Sequence, residues 1–179
     1  MKNPCTPKPR IGISACLLGS KVRYDGGHKK DSFLTETFGP HVEWVSVCPE
    51  VEIGMGIPRE SVRLVGSKED PQMIAERSGR DWTGAMKRFA AQRARSLREL
   101  ELAGYILKKN SPSCGLERVR VYNSKGVPTR DGRGLFASSL PRLLGHGYLP
   151  LSCCRALARL LRQAIGLLAG LRGHVLRCL

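Results

Sequence analysis

The chain reads as an α/β domain: a mostly parallel sheet flanked by helices, with three cysteine-bearing loops at the carboxyl ends of its strands. Three observations predict it. Short strand-like runs alternate with segments of helical periodicity. Three of those runs give way to a Gly/Pro turn that carries a cysteine, in ISACLLG, VSVCPE and ILKKNSPSCG. The 179 residues, 41% of them hydrophobic, suffice for one core but not for two full domains.

Each element has its own signal. Residues 11–15 form a short β-type run, and residues 30–38 predict a short helix that ends at the Gly39-Pro40 break. Residues 42–47 read as a second strand and residues 62–65 as a third. From 82 to 102, Met86, Phe89, Ala90, Ala94, Leu97 and Leu100 recur at helical spacing among Arg, Gln and Glu, which predicts an amphipathic helix with Gly104 as its stop. An apolar run resumes over 105–107. Residues 119–122 give a further strand before the turn-rich KGVPTRDGRG.

The formal net charge of +15 invites a nucleic-acid reading, since clustered Lys and Arg bind phosphates by releasing counterions. Its distribution weakens that reading. The last acidic residue is Asp131, and the chain carries no RNP-like aromatic pattern, Cys/His finger or basic zipper. No stretch approaches the roughly 20 apolar residues of a membrane span, and MKNPCTPKPR lacks the apolar core of a signal peptide. The expectation is a cytoplasmic protein. Seven cysteines in a reducing compartment then favour ligand or sulfur chemistry over a disulfide framework.

Cys16, Cys48 and Cys114 stand 32 and 66 residues apart, which is hopeless for a local metal knuckle. The spacing is natural if each gap contains a helix that returns the chain to the same sheet edge, where sites of open α/β sheets form. Three thiolates so gathered suggest an iron–sulfur cluster with one iron left open. Gly19, Pro49, Gly54, Gly56, Pro112 and Gly115 supply the sharp turns around it. Two other classes stay open: a zinc or purely structural metal domain, and a thiol enzyme with Cys114 or Cys16 as nucleophile.

SACLLG with VRYDGG, then CPEVEIGMGIPRE, then KKNSPSCG resemble the signature segments of the thiouracil desulfidase-like family, over residues 10–136. The resemblance implies an α/β catalytic domain that holds a 4Fe-4S cluster on Cys16, Cys48 and Cys114. It implies removal of sulfur from a thiolated nucleobase or related small thioamide, with water supplying the replacing oxygen and no net redox change. The substrate is then a small thiolated heterocycle such as thiouracil, with a thiolated tRNA base as a further candidate. GMGIPRESVRLV also resembles a subgroup in which a second, helical domain follows.

Residue chemistry suggests the roles. Glu50 of CPE is the first candidate to activate water or shuttle its proton, with Glu52 as second choice. Ser111 is expected to orient the water or hydrogen-bond the heterocycle, while Ser113 caps the turn. Asp25 of RYDGG and Lys109 are candidates for substrate binding; an ordinary Asp-Gly turn and a solvated strand end are the plainer alternatives.

Three segments are expected: a tail over 1–10, the catalytic domain over 11–138, and an atypical basic Leu/Arg-rich tail over 139–179. From Ser139 onward there is no Asp, Glu or Lys, and Cys153, Cys154 and Cys178 lack context. Residues 156–171 fit a basic amphipathic helix. The abrupt change of composition leads to the expectation that a frameshift replaced the native continuation near Ser139.

Overall fold

The computed structural model describes residues 7–144 and 150–151. Two four-stranded sheets share one core. In chain order the strands are β1 (Arg10–Ser14), β2 (Glu43–Val47), β3 (Val62–Gly66), β4 (Pro71–Ala75), β5 (Gly104–Ile106), β6 (Val119–Tyr122), β7 (Pro128–Gly132) and β8 (Pro150–Leu151). The helices are the single turn α1 (Pro49–Glu52), α2 (Thr83–Glu99) and α3 (Leu135–Leu144). The first sheet, in the order β2-β1-β5-β8, is parallel throughout. The second, β4-β3-β6-β7, pairs β3 with β6 in parallel and has antiparallel edges.

Burial on both faces explains why β1 and β5 are so apolar. Ile11 and Ile13 point to a smaller cluster with Leu34, Phe38, Val42 and Ile106, where Phe38 and Trp44 meet edge to face at 5.6 Å. Gly12 points the other way. A Cβ there would strike the Tyr105 ring, so glycine is what lets that fully buried ring lie against the strand. Val47 and Tyr105 belong to the larger cluster, which takes in Leu64 and Met73 of the second sheet and the apolar faces of α2 and α3. Phe136 of α3 packs between Phe89 of α2 and Tyr105, at 6.0 Å from each.

The expected helix over 82–102 is α2, with Met86, Ala90, Ala94 and Leu97 wholly buried. Asp81 Oδ1 accepts the Thr83 N–H at 2.7 Å and so satisfies one of the free donors of its first turn. The helix stops earlier than Gly104. Glu101 adopts φ 49°, and Gly104 instead opens β5. The expected helix over 30–38 is a wide helical turn, Phe33–Phe38.

A mostly parallel sheet is present as expected, but the second sheet is an addition to that expectation. KGVPTRDGRG, read as turns, contributes β7, whose residues are exposed apart from Gly132. A solvated edge strand shows no apolar alternation to betray it. The turn itself is where expected, with Asn123 Oδ1 accepting the N–H groups of Lys125 and Val127 and Gly126 at φ 75°. Among the described residues no helix is long and apolar enough to cross a membrane. The amphipathic segment 156–171 and Cys153, Cys154 and Cys178 lie outside the described residues.

Candidate active site

Strand register places the three cysteines. β1 ends at Ser14 beside Val47, the last residue of β2, and Ile13 lies beside Ile106, the last of β5. Three neighbouring parallel strands therefore stop at one level, and the chain leaves each of them on the same side. Cys16 lies in the turn Ala15–Leu18 after β1, Cys48 follows β2 directly, and Cys114 closes the loop running on from β5. All three line one cavity of about 230 Å³, together with Glu50, Arg59, Lys108, Ser111 and Ser113.

Each loop is held by its own polar contacts. Gly19 at φ 94° ends the first turn, and the Lys29 N–H donates to the Cys16 carbonyl at 2.9 Å. Pro49 opens α1 at a position that needs no N–H. Glu52 Oε1 accepts the Cys48 N–H at 3.0 Å while Oε2 faces Arg93 Nε at 3.5 Å, so Glu52 serves the turn and does not line the cavity. The Ser14 hydroxyl accepts the Lys108 N–H at 3.0 Å and ties the ends of β1 and β5 together.

The third loop is held from behind by α3. The Leu135 N–H donates to the Pro112 carbonyl at 3.1 Å, and those of Phe136 and Ala137 donate to the Ser113 carbonyl at 3.0 and 3.1 Å. Gly134 passes so close that a Cβ there would strike that same carbonyl. Gly134→Ala is therefore expected to cost about 1–3 kcal/mol, as overpacking does, and to lower the metal content of the purified protein. Thermal unfolding and elemental analysis of the variant check both.

Glu50 is the centre of the polar side of the cavity. Its Oε2 accepts from Arg59 Nη2 at 2.6 Å and Nε at 3.2 Å, and its Oε1 accepts from Ser113 Oγ at 2.6 Å. Ser113 Oγ lies 2.9 Å from Ser111 Oγ. A hydroxyl has one proton and a carboxylate only accepts, so Ser113 gives its proton to Glu50 and Ser111 must donate to Ser113. Ser111 Oγ in turn accepts the N–H groups of Ser113 and Cys114 at 3.3 and 3.2 Å. The result is a directed chain of hydroxyls, from Ser111 through Ser113 to the carboxylate.

Burial sets the thiol chemistry. It pushes the Cys114 thiol up to about 12, against the Ser113 and Ser14 hydroxyls, which lower it. It also raises Cys16, opposed first by the Lys108 ammonium, and Cys48, opposed first by the Val51 backbone N–H. A nucleophilic cysteine needs the opposite shift. A metal that displaces the proton turns buried thiols into ligands.

Among the described residues no group of three His, Cys, Asp or Glu side chains is placed to hold a single ion. Three cysteines from three loops lining one cavity match the donor set of a polynuclear cluster whose irons each take a different cysteine. The residues present fit such a group.

The structure thus brings together Cys16, Cys48, Cys114, Glu50 and Ser111. It places Asp25 and Lys109 elsewhere. Asp25 is an exposed turn residue: Arg23 pairs with it at 2.9 Å and the Gly27 N–H donates to it at 3.0 Å, and these hold its carboxyl down at about 2. Lys109 lines a neighbouring groove of about 820 Å³ over the second sheet, with Arg63, Arg118, Arg120 and Arg130. Its neighbour Lys108 lines the cavity instead, and burial lowers its pKa. Sequence reasoning missed Arg59 and assigned Ser113 to turn capping alone. The alternation in SPSC, which places two hydroxyls either side of Pro112, was a readable hint of the second; nothing local marks Arg59 as buried.

Fold and site together define an α/β protein in which a three-cysteine cavity, backed by a buried carboxylate–guanidinium pair, closes one end of a parallel sheet. A sequence model described as 2-thiouracil desulfurase matches residues 11–145, and the chain belongs to that family. It is 32% identical over 110 residues to YbbK, an uncharacterized protein of Bacillus subtilis (strain 168), across 59% of this chain and 72% of YbbK. Among solved structures, the 4Fe-4S-dependent thiouracil desulfidase TudS matches with a TM-score of 0.68 and 32% identity, across 87% of this chain and 99% of TudS. The resemblance carried by the cysteine motifs is borne out for family and fold.

Proposed function

We propose that the protein is a desulfidase that exchanges the sulfur of a small thiolated heterocycle of the thiouracil type for oxygen, using a 4Fe-4S cluster held by Cys16, Cys48 and Cys114. The observation that carries the proposal is the arrival of three thiols, Cys114 buried and Cys16 and Cys48 half-buried, from three level strand ends in one cavity with a carboxylate. Family membership and the likeness to TudS support it.

When bound by three cysteines, such a cluster supplies Lewis-acid chemistry at an iron that no protein thiolate holds. The chain's own residues do the rest. The overall exchange, C=S + H₂O → C=O + H₂S, moves two protons from water oxygen to sulfur and no electrons. Glu50 is the group placed to hold a proton in transit, reached from the cavity through Ser111 and Ser113. Lys108 and Arg23, both lining the cavity, favour anionic sulfur leaving the heterocycle. Loss of H₂S to solvent completes the cycle. Transfer RNA gains no support from the site, and the proposal is confined to the small heterocycle.

The test is anaerobic purification followed by measurement of iron, acid-labile sulfide and zinc per chain, with chromatographic assay of uracil formed from thiouracil. About four irons and four sulfides per chain are expected, with uracil and sulfide released in equal amounts. Stoichiometric zinc without labile sulfide would sink the proposal in favour of a structural metal domain.

A further inference from the structure

Arg59 is the most buried cation at the site, its side chain 5% exposed, and it joins α1 to the loops that follow Cys16 and Cys48. Through Nε and Nη2 it binds one oxygen of Glu50, whose side chain is 13% exposed. Through Nη1 it donates to the Val22 carbonyl at 3.1 Å and the Gly56 carbonyl at 3.0 Å, and its own N–H donates to the Tyr24 carbonyl at 2.9 Å. Val22 and Tyr24 lie in the loop that follows Cys16, and Gly56 in the loop that follows Cys48. The Cys48 thiol in turn lies 3.7 Å from the Val22 carbonyl, so the arginine and the cysteine share one acceptor.

A planar guanidinium can meet a carboxylate and two carbonyls at once because its donors diverge in a fixed fork; an ammonium cannot. With Oε2 taken by Arg59, the free oxygen of Glu50 has one orientation left, and there it accepts from Ser113 at 2.6 Å. Without that clamp, a largely buried carboxylate on a one-turn helix has no contact in the cavity to fix its rotation except the hydroxyl it is meant to serve.

We propose that Arg59 is the positioning residue of this site: it fixes the Glu50 carboxylate so that Oε1 receives the Ser111–Ser113 hydroxyl chain, and it holds the loops behind Cys16 and Cys48 together around that carboxylate. The inference deepens the desulfidase reading and rests on it for the part played by Glu50. The hydrogen bonds of Arg59 go to Glu50, Val22, Tyr24 and Gly56, so its part in the chemistry runs through Glu50.

Two measurements test it, one of them independent of activity. The first is a crystal structure of the cluster-loaded Arg59→Gln chain. The expected result is a Glu50 carboxylate turned away from Ser113 while the three cysteines keep their places; Glu50 still bonded to Ser113 overturns the proposal. The second is a double-mutant cycle on kcat with Arg59→Met and Glu50→Gln, each variant normalised to its measured iron content. Arg59→Met alone is expected to lower kcat about 10- to 100-fold, in the range of other residues that orient a metal-site group, with KM within about threefold. In the Glu50→Gln background the same substitution is expected to cost nothing further. Additive losses, or a loss that vanishes on normalisation to iron, would show an arginine that only supports the fold. If the unaltered protein forms no uracil from thiouracil, the functional reading fails, and the crystallographic result still decides the place of Arg59.

Discussion

Replacing any one of Cys16, Cys48 or Cys114 by alanine is expected to remove the iron and labile sulfide and to lower uracil formation more than about 100-fold, beyond the 10- to 100-fold typical of groups that merely support a ligand. The three positions are expected to behave alike. A cluster bound through three thiolates loses one of its three protein ligands with each of them. The comparison also separates the competing classes. A nucleophilic cysteine would show one intolerant position and two tolerant ones, whereas the raised thiol pKa values argue that none is poised as a free thiolate. Elemental analysis of the three variants beside the parent decides the matter, and full iron content in any of them would contradict the assignment of that cysteine.

Glu50→Gln is expected to lower kcat about 100- to 10,000-fold, the range supplied by a positioned acid or base, while the chain keeps its iron. Gln matches Glu in shape and its carbonyl can still accept from Arg59, but it cannot hold the proton in transit. The substitution also leaves the guanidinium with no counter-charge in a place where its side chain is 5% exposed. A loss of stability of up to about 3 kcal/mol is therefore expected, toward the lower end of what breaking a buried pair costs. Turnover and thermal unfolding of the one variant read the two effects separately. Unchanged turnover would remove Glu50 from the chemistry and leave it a structural partner of Arg59.

What was legible in the sequence was what depends on local pattern. Ile11 and Ile13 announce β1 by alternation, and Met86, Ala90, Ala94 and Leu97 announce α2 by their period. The cysteines were legible because each sits at the point where a strand signal fails, and in a parallel sheet such points share one edge. Glu50 and Ser111 followed from their nearness to cysteines in the chain. Asp25 and Lys109 were read by the same logic of nearness, and the structure shows its limit. Asp25 is absorbed by its own turn, and a shift of one residue along the loop sends Lys109 to the groove and Lys108 to the cavity. The second sheet was hidden because β7 is almost wholly exposed and β4 begins with proline at an edge. Arg59 was hidden because its partners lie 9 and 37 residues away, at Glu50 and Val22, and nothing local marks an arginine for burial.

The dependence of the Ser113 loop on α3 sets an order for the birth of the protein on the ribosome. Cys16 and Cys48 emerge early and lie on strands that pair directly with each other. Cys114 emerges far later, and the amides that fasten its loop belong to Leu135, Phe136 and Ala137, which are synthesised later still. A nascent chain that already displays all three thiols consequently still lacks the amides that fasten the loop of the third. The three-cysteine cavity is therefore complete only when residues 135–137 have joined the fold, so its assembly waits on a stretch of chain made well after the thiols themselves.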